Sequence, residues 1–442
     1  MAMINAYDGK TAQLSEEERA LIARRERLLG PAYRLFYRNP VHFVRGEGVW
    51  LYDLDGNAYL DAYNNVVSVG HCNPHVVEAI ARQAATLNTH TRYLNEGVIA
   101  FAERLLAKFP SSLSHIMFTC TGSEANDLAL RVAKSFTGGT GFIVTELAYH
   151  GGTDAVAALS PSLGKFVNLG DHVRTVAAPD SFRIRAADLA AAFAQGVRAA
   201  VRDMQRHGIK PAALLVDTIF SSDGVFADPS GFLKEAVDAA HAAGALFIAD
   251  EVQPGFGRTG DALWGFERHG VVPDMVTMGK PMGNGHPIAA LAMRPDVIAS
   301  FGANSRYFNT FGGNPVSCAA GMAVLDVIEG ENLQQNAAMV GQLFRESLRG
   351  LAENYPVIAD VRGAGLFIGV EIEAGDDARS ARLTAELVNG MRERRVLLSA
   401  TGPRANVLKI RPPLTFSPSN VEFFVAALDN VLHACTRGRP QA

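Results

Sequence analysis

The chain has 442 residues, 48% of them hydrophobic and 19% charged, with a formal net charge of −4. That length buries a large core and suits two domains, while the slightly acidic balance excludes an electrostatic footprint for nucleic acid or an anionic membrane. The four cysteines, Cys72, Cys120, Cys318 and Cys435, show no C-x-x-C spacing and fit a reducing compartment rather than a disulfide scaffold.

The N-terminus, Met1 to Lys10, lacks an apolar targeting segment, and no run is long enough to span a membrane. A cytoplasmic protein is expected. His71-Cys72-Asn-Pro-His75 has metal-binding residue types but no companion ligand pair, so no metal is expected.

Residues 15–30 carry mixed charge at helical spacing and predict a surface helix. From Val41 to Asp61, apolar and polar residues alternate around Asp55-Gly56, a hairpin signal, which predicts a β-meander over 41–44, 49–53 and 58–60. Helices follow at 74–87 and 97–108. After His115 the texture becomes strands alternating with helices, as in a parallel sheet covered on both faces. Strands are predicted at 115–120, 141–145, 212–217, 245–250 and 274–280, with 289–294 antiparallel at that edge. Helices are predicted at 123–134, 182–208 and 231–244. Near residue 320 the pattern shifts to helices at 316–329, 333–351, 378–394 and 419–435, with strands at 358–361, 366–372 and 407–410. The fold class read here is α/β: a large domain (66–319) around a mostly parallel seven-stranded sheet, and a smaller discontinuous α+β domain from 1–65 and 320–442.

Two strand tips carry the chemistry. Ala245-Leu-Phe-Ile-Ala-Asp250 delivers a carboxylate, and Asp274-Met-Val-Thr-Met-Gly-Lys280 ends in a lysine wrapped in Gly and Pro. Ligands of open α/β sheets bind at that end of the strands. A strand-tip lysine and aspartate suit pyridoxal phosphate: Lys280 forms a Schiff base, and Asp250 keeps the pyridine nitrogen protonated. Either residue alone reads more readily as a solvated loop lysine or a helix-capping aspartate. The pair gains weight from Thr121-Gly122-Ser123, a small polar turn between a strand and a helix, which makes an anion site for the cofactor phosphate. Tyr149 and His150 follow another strand, where an aromatic ring can stack on the pyridine. Asp217 ends a third. Gly255-Phe-Gly257-Arg-Thr-Gly260 matches a dinucleotide fingerprint, but Gln253 and Pro254 intervene and the residues after it are too Gly-broken for a phosphate-facing helix.

These motifs resemble the class III aminotransferases of pyridoxal phosphate fold type I, from Arg45 to about Leu432. The resemblance rests on Gly70-His-Cys-Asn-Pro74, Thr121-Gly-Ser-Glu-Ala-Asn126, Tyr149-His-Gly151, Asp250-Glu-Val-Gln-Pro-Gly-Phe-Gly-Arg258 and Thr277-Met-Gly-Lys280. Phe308-Asn-Thr-Phe-Gly-Gly-Asn-Pro315 and Arg362-Gly-Ala-Gly365 complete it. It implies that Lys280 carries the cofactor and shuttles the proton, Asp250 pairs with the ring nitrogen, and Gln253 lies near the ring hydroxyl. Gly122 and Ser123 would hold the phosphate, and Tyr149 would stack on the ring. Thr310 is implied as a phosphate ligand given by a partner subunit, hence a homodimer with shared active sites, or a tetramer built from it.

Within the family, Asn88-Thr-His-Thr-Arg-Tyr-Leu94, Lys280-Pro-Met-Gly-Asn-Gly-His286, Val396-Leu-Leu-Ser399 and Asn406-Val-Leu-Lys-Ile-Arg-Pro-Pro-Leu414 resemble the ethanolamine-phosphate phospho-lyase branch. Where many family members place a carboxylate-binding Arg three residues before Pro-Pro, this chain has Lys409, with Arg411 shifted by two. Where they have Glu-Pro-x-Gln-Gly-Glu, it reads Asp217-Thr-Ile-Phe-Ser-Ser222. The Arg–Glu switch of ω-amino acid enzymes is therefore missing. The leading expectation is transfer of an amino group from a small amine to a 2-oxo acid. The alternative is β-elimination from a phosphoethanolamine-like substrate, releasing aldehyde, ammonia and phosphate. Arg92, Tyr93, Lys409 and Arg411 are the substrate-binding candidates.

Overall fold

The computed structural model describes residues 5–9 and 14–437. Its centre is a seven-stranded sheet in the order His115–Thr119, Ala289–Met293, Met275–Met278, Leu246–Asp250, Pro211–Asp217, Gly141–Thr145 and Val173–Val176. The last five are mutually parallel. Ala289–Met293 runs antiparallel to both neighbours and so lies one place inside the sheet, not at its edge as expected. The short Pro- and Gly-rich return after Lys280 explains the direction, because a parallel neighbour would need a crossover of a dozen residues or more. The edge is His115–Thr119. The opposite edge, Val173–Val176, was not anticipated: its four residues include Arg174 and Thr175 and leave little apolar signal.

Alternate residues of the central strands serve two cores. Phe247 and Ala249 pack with Leu189, Phe193 and Val237 of the helices Ala186–Arg206 and Lys234–Ala242. Leu246 and Ile248 face Leu128 and Val132 of the helix Gly122–Thr137. Burial on both faces is why these strands read as continuous apolar runs.

Two smaller sheets stand beside the large one. The meander Phe43–Glu47, Trp50–Asp53 and Ala58–Asp61 gains a fourth strand, Val396–Leu397, parallel to Leu60 and Asp61. The other sheet holds Ile358–Ala364, Phe367–Ile372, Val407–Ile410 and Ser399–Thr401. The helix Glu16–Leu29 opens with a Ser15/Glu18 capping box but buries none of its residues. Among the described residues no helix is long and apolar enough to cross a membrane.

The dinucleotide-like glycines have a packing role. A side chain at Gly260 would sit 2.6 Å from the Ala338 backbone, and only the short 3-10 turn Gly265–His269 follows.

Candidate active site

The C-terminal ends of four parallel strands meet the N-terminus of the helix Gly122–Thr137. One cavity there is lined by Gly122, Ser123, Tyr149, His150, Asp217, Asp250, Gln253 and Lys280. Every cofactor candidate except Thr310 is thus brought together within one chain.

Asp250 is held rigidly. Its Oδ2 accepts from His150 Nδ1 at 2.7 Å and from Asn126 Nδ2 at 3.0 Å, and its Oδ1 accepts from the Val252 amide at 3.1 Å. An ionised carboxylate only accepts, so the imidazole carries a proton on Nδ1. Asn126 was not foreseen as a site residue. It is locked by Thr277 Oγ1 at 2.8 Å and donates to the His150 carbonyl at 2.7 Å. Its signal was a lone amide on the apolar face formed by Ala125, Leu128 and Ala129.

Lys280 is half-buried and among the described residues makes no hydrogen bond, its Nζ 6.0 Å from the centre of the Tyr149 ring. Burial first, then the nearby Arg411 charge, holds its amine below the ordinary lysine range, against the pull of Asp250 and Asp217. Such an amine is a better nucleophile and base near neutral pH.

At the cavity's other end the helix is capped by Thr121. Its hydroxyl accepts the Glu124 amide at 3.1 Å, and its carbonyl takes that of Ala125. The Glu124 carboxylate reaches back to the amides of Cys120 and Thr121 at 2.8 and 2.9 Å. The amides of Gly122 and Ser123 are left for a ligand, with the helix dipole behind them. A side chain at Gly122 would press within 2.9 Å of Val252, so only glycine brings this backbone so close to the cavity.

Asp217 accepts the amides of Ile219 and Ser221 at 3.1 and 3.0 Å, and the Ser221 hydroxyl. Burial pushes its carboxyl up; the Ser221 hydroxyl opposes this and the Asp250 charge adds to it. Gln253 donates from Nε2 to Ser221 Oγ at 2.6 Å, and its Oε1 accepts from Arg411 Nη1. Asp223, just beyond, accepts from Thr145 Oγ1 at 2.8 Å and is pushed up to about 7 by burial.

Lys409 and Arg411 are 7% and 8% exposed. Among the described residues neither lies within ion-pair distance of a carboxylate, and Arg411 Nε has no partner. Burial, then the Arg411 charge, pushes the Lys409 amine well down, while Asp217 and Asp223 pull the other way. Arg92, Tyr93 and Thr310 lie elsewhere. Arg92 covers the Phe308 ring at 3.8 Å, Tyr93 stacks on His90, and all three are exposed outside the chain's own cavity.

This arrangement fits pyridoxal phosphate: a lysine lining the cavity between a fixed carboxylate and a helix N-terminus with free amides. Comparison with known proteins agrees. The family model described as "Aminotransferase class-III" matches residues 36–432. A Drosophila melanogaster protein, "Alanine--glyoxylate aminotransferase 2-like", is 40% identical over 97% of this chain and 89% of its own. "Ethanolamine-phosphate phospho-lyase homolog 1" of Caenorhabditis elegans is 37% identical over 96% of this chain and 95% of its own. A solved structure, a phospholyase from Arthrobacter in complex with phosphoethanolamine, superposes with a TM-score of 0.90 at 44% identity, covering 94% of this chain and 99% of that one. A family match over so much of the chain takes in both the cavity and the cations behind it: the chain belongs to the class III aminotransferases, whose cofactor is pyridoxal phosphate.

Proposed function

We propose that the chain eliminates phosphate from a small phosphorylated amino alcohol of the phosphoethanolamine type. One observation carries this reading: Lys409 and Arg411 are buried close to Lys280, and among the described residues neither is ion-paired, the Asp217 and Asp223 carboxylates acting on Lys409 only from beyond contact. Buried cations without a partner are costly, and a doubly charged phosphate satisfies two of them at once. Ser222, where an acidic residue would let an arginine swing aside, removes the device that ω-amino acid enzymes use. The phosphoethanolamine bound by the similar Arthrobacter phospholyase supports the same substrate class.

When bound, pyridoxal phosphate would supply an electron sink for the substrate's Cα. The chain's residues do the rest. Gly122 and Ser123 would hold the cofactor's phosphate, Tyr149 would cover its ring, and Gln253 would meet the ring hydroxyl. Asp250, fixed by His150 and Asn126, holds the charge that keeps the ring nitrogen protonated. Lys280 Nζ takes the proton from the substrate's Cα. Lys409 and Arg411 hold the phosphate as it leaves with the electron pair of the C–O bond. One water is consumed overall, and the products are aldehyde, ammonia and phosphate.

The second reading is amino transfer to a 2-oxo acid, favoured by the aminotransferase relative at 40% identity. There the amine is kept and passed on, and Lys409 and Arg411 hold an acid group that does not leave.

We further propose a homodimer with shared sites. The exposed cluster of Tyr93, Leu94, Phe308 and Phe311, and a first helix with no buried residue, form apolar surface for a second copy to cover. Thr310 sits in that cluster. The four unbridged cysteines support a reducing, cytoplasmic setting.

The test is to incubate holoenzyme with phosphoethanolamine and no keto acid, then measure phosphate and ammonia. Equal release of both is expected. Absence of release, together with pyruvate-dependent consumption of simple amines, would replace elimination with transfer.

A further inference from the structure

The polar groups behind the cavity form a chain of contacts whose direction is fixed at both ends. Arg411 Nη1 can only donate, so the Gln253 atom facing it is the carbonyl Oε1. The Gln253 amide nitrogen then faces Ser221 Oγ at 2.6 Å, and Ser221, having accepted there, donates its own proton to Asp217 Oδ2. An ionised Asp217 can only accept. Guanidinium, carboxamide, hydroxyl and carboxylate therefore line up donor to acceptor in one sense only, the arrangement in which each bond polarises the next. Ser221 is the one member that both accepts and donates through a single atom. It is completely buried.

The backbone around Ser221 is held in a conformation that chains avoid. Phe220 and Val225 have φ of 51° and 65°, and a β-branched residue is a true outlier there. Several contacts enforce it. Thr401 Oγ1 donates to the carbonyls of Ser221 and Ser222 at 3.1 and 2.9 Å. Arg362 donates to those of Gly224 and Val225, at 2.7 Å for its closest contact with Gly224. Arg411 is also anchored by Asn65 Oδ1 at 3.1 Å, yet its Nε remains buried and unpartnered.

We propose that Ser221 is a positioning residue that, through Gln253, fixes the Arg411 guanidinium for the substrate's anionic end. The inference rests on the reading of Arg411 as an anion anchor, and it assigns a specificity role to a hydroxyl that touches neither substrate nor cofactor. Without that hydroxyl, the Gln253 amide loses its acceptor and can rotate, and Arg411 keeps only Asn65 of its two fixed partners.

The experiment measures inorganic phosphate binding to holoenzyme, in which the cofactor's own phosphate site is filled, by calorimetry. Wild type, Ser221→Ala, Ser221→Thr, Arg411→Ala and the Ser221→Ala/Arg411→Ala double variant are compared. Ser221→Ala is expected to weaken phosphate about tenfold, as loss of one bond in a charge-assisted chain does. Its unfolding midpoint should fall modestly, because the buried Gln253 amide loses its acceptor, while the cofactor stays bound at one per chain. Ser221→Thr, which keeps the hydroxyl, should recover most of the affinity. In the Arg411→Ala background, adding Ser221→Ala should change nothing further. Unchanged phosphate affinity in Ser221→Ala overturns the proposal, and so does an equal loss with and without Arg411. If Arg411→Ala itself binds phosphate as wild type does, the anion-anchor reading fails instead, and the proposal falls with it.

Discussion

His269 shows how one side chain sets a pH dependence away from the chemistry. It is 2% exposed, donates from Nε2 to the Thr218 carbonyl at 3.0 Å, and packs edge-on against Phe232 with Nδ1 unpartnered. Burial depresses its imidazole from 6.5 to about 4. Between those values the unfolded chain binds a proton that the folded chain refuses. Stability is therefore full above about 6.5 and falls as pH drops towards 4, by on the order of 3 kcal/mol at the lower end. His269→Gln keeps a donor for Thr218 but cannot titrate. Its denaturant midpoint should fall less than that of wild type between pH 7 and pH 4.5; identical slopes would remove His269 as the cause.

The same scale shows what a linear pattern carries. Asp250 and Lys280 were legible because each ends an apolar run, and strand tips are where the fold places ligands. Asn126 and Ser221 were not. Their importance lies in partners far off in the chain, His150 and Asp250 for one, Gln253 for the other. Local spacing says nothing about such partners.

Among the elements, the helix Gly122–Thr137 at the cavity's end turns on its first residues. The sequence placed its start at Ser123, whereas the helix begins at Gly122 with Thr121 as its cap. The T-x-x-E pattern of Thr121 and Glu124 held that information, because a reciprocal capping box needs that spacing. Thr121→Ala should destabilise the apoenzyme by about 1 kcal/mol. It should also weaken cofactor binding, because the free amides of Gly122 and Ser123 lose their fixed orientation. Urea unfolding and titration with pyridoxal phosphate measure the two effects; a lowered stability with unchanged cofactor affinity would separate the cap from the phosphate site. Strand direction followed the same logic of connections. Ala289–Met293 is antiparallel because of the short return that precedes it. Its place inside the sheet was hidden, since pairing with His115–Thr119 joins segments far apart in sequence.

For the whole molecule, the placement of Thr310 outside its own chain's cavity is the feature that bears on assembly. If each site draws Thr310 from the other subunit, two damaged chains can repair each other. Lys280→Ala removes the amine, and Thr310→Glu sets a carboxylate against the cofactor's phosphate. Each homodimer should be inactive. Refolding an equal mixture should give mixed dimers with one intact site, and about a quarter of wild-type activity by random pairing. No recovery above the separate variants would show that each chain completes its own site.

The pairing of Val396–Leu397 with Leu60 and Asp61 also governs how the protein comes into being on the ribosome. The meander at the beginning of the chain emerges early but lacks its fourth strand until more than 300 residues later, on the order of tens of seconds at ordinary translation rates. His115–Thr119 likewise waits for Ala289–Met293. During that interval an unpaired β edge stands exposed to every other nascent copy. Yield in a cell should therefore depend on chaperone capacity and growth temperature more steeply than the stability of the finished fold implies.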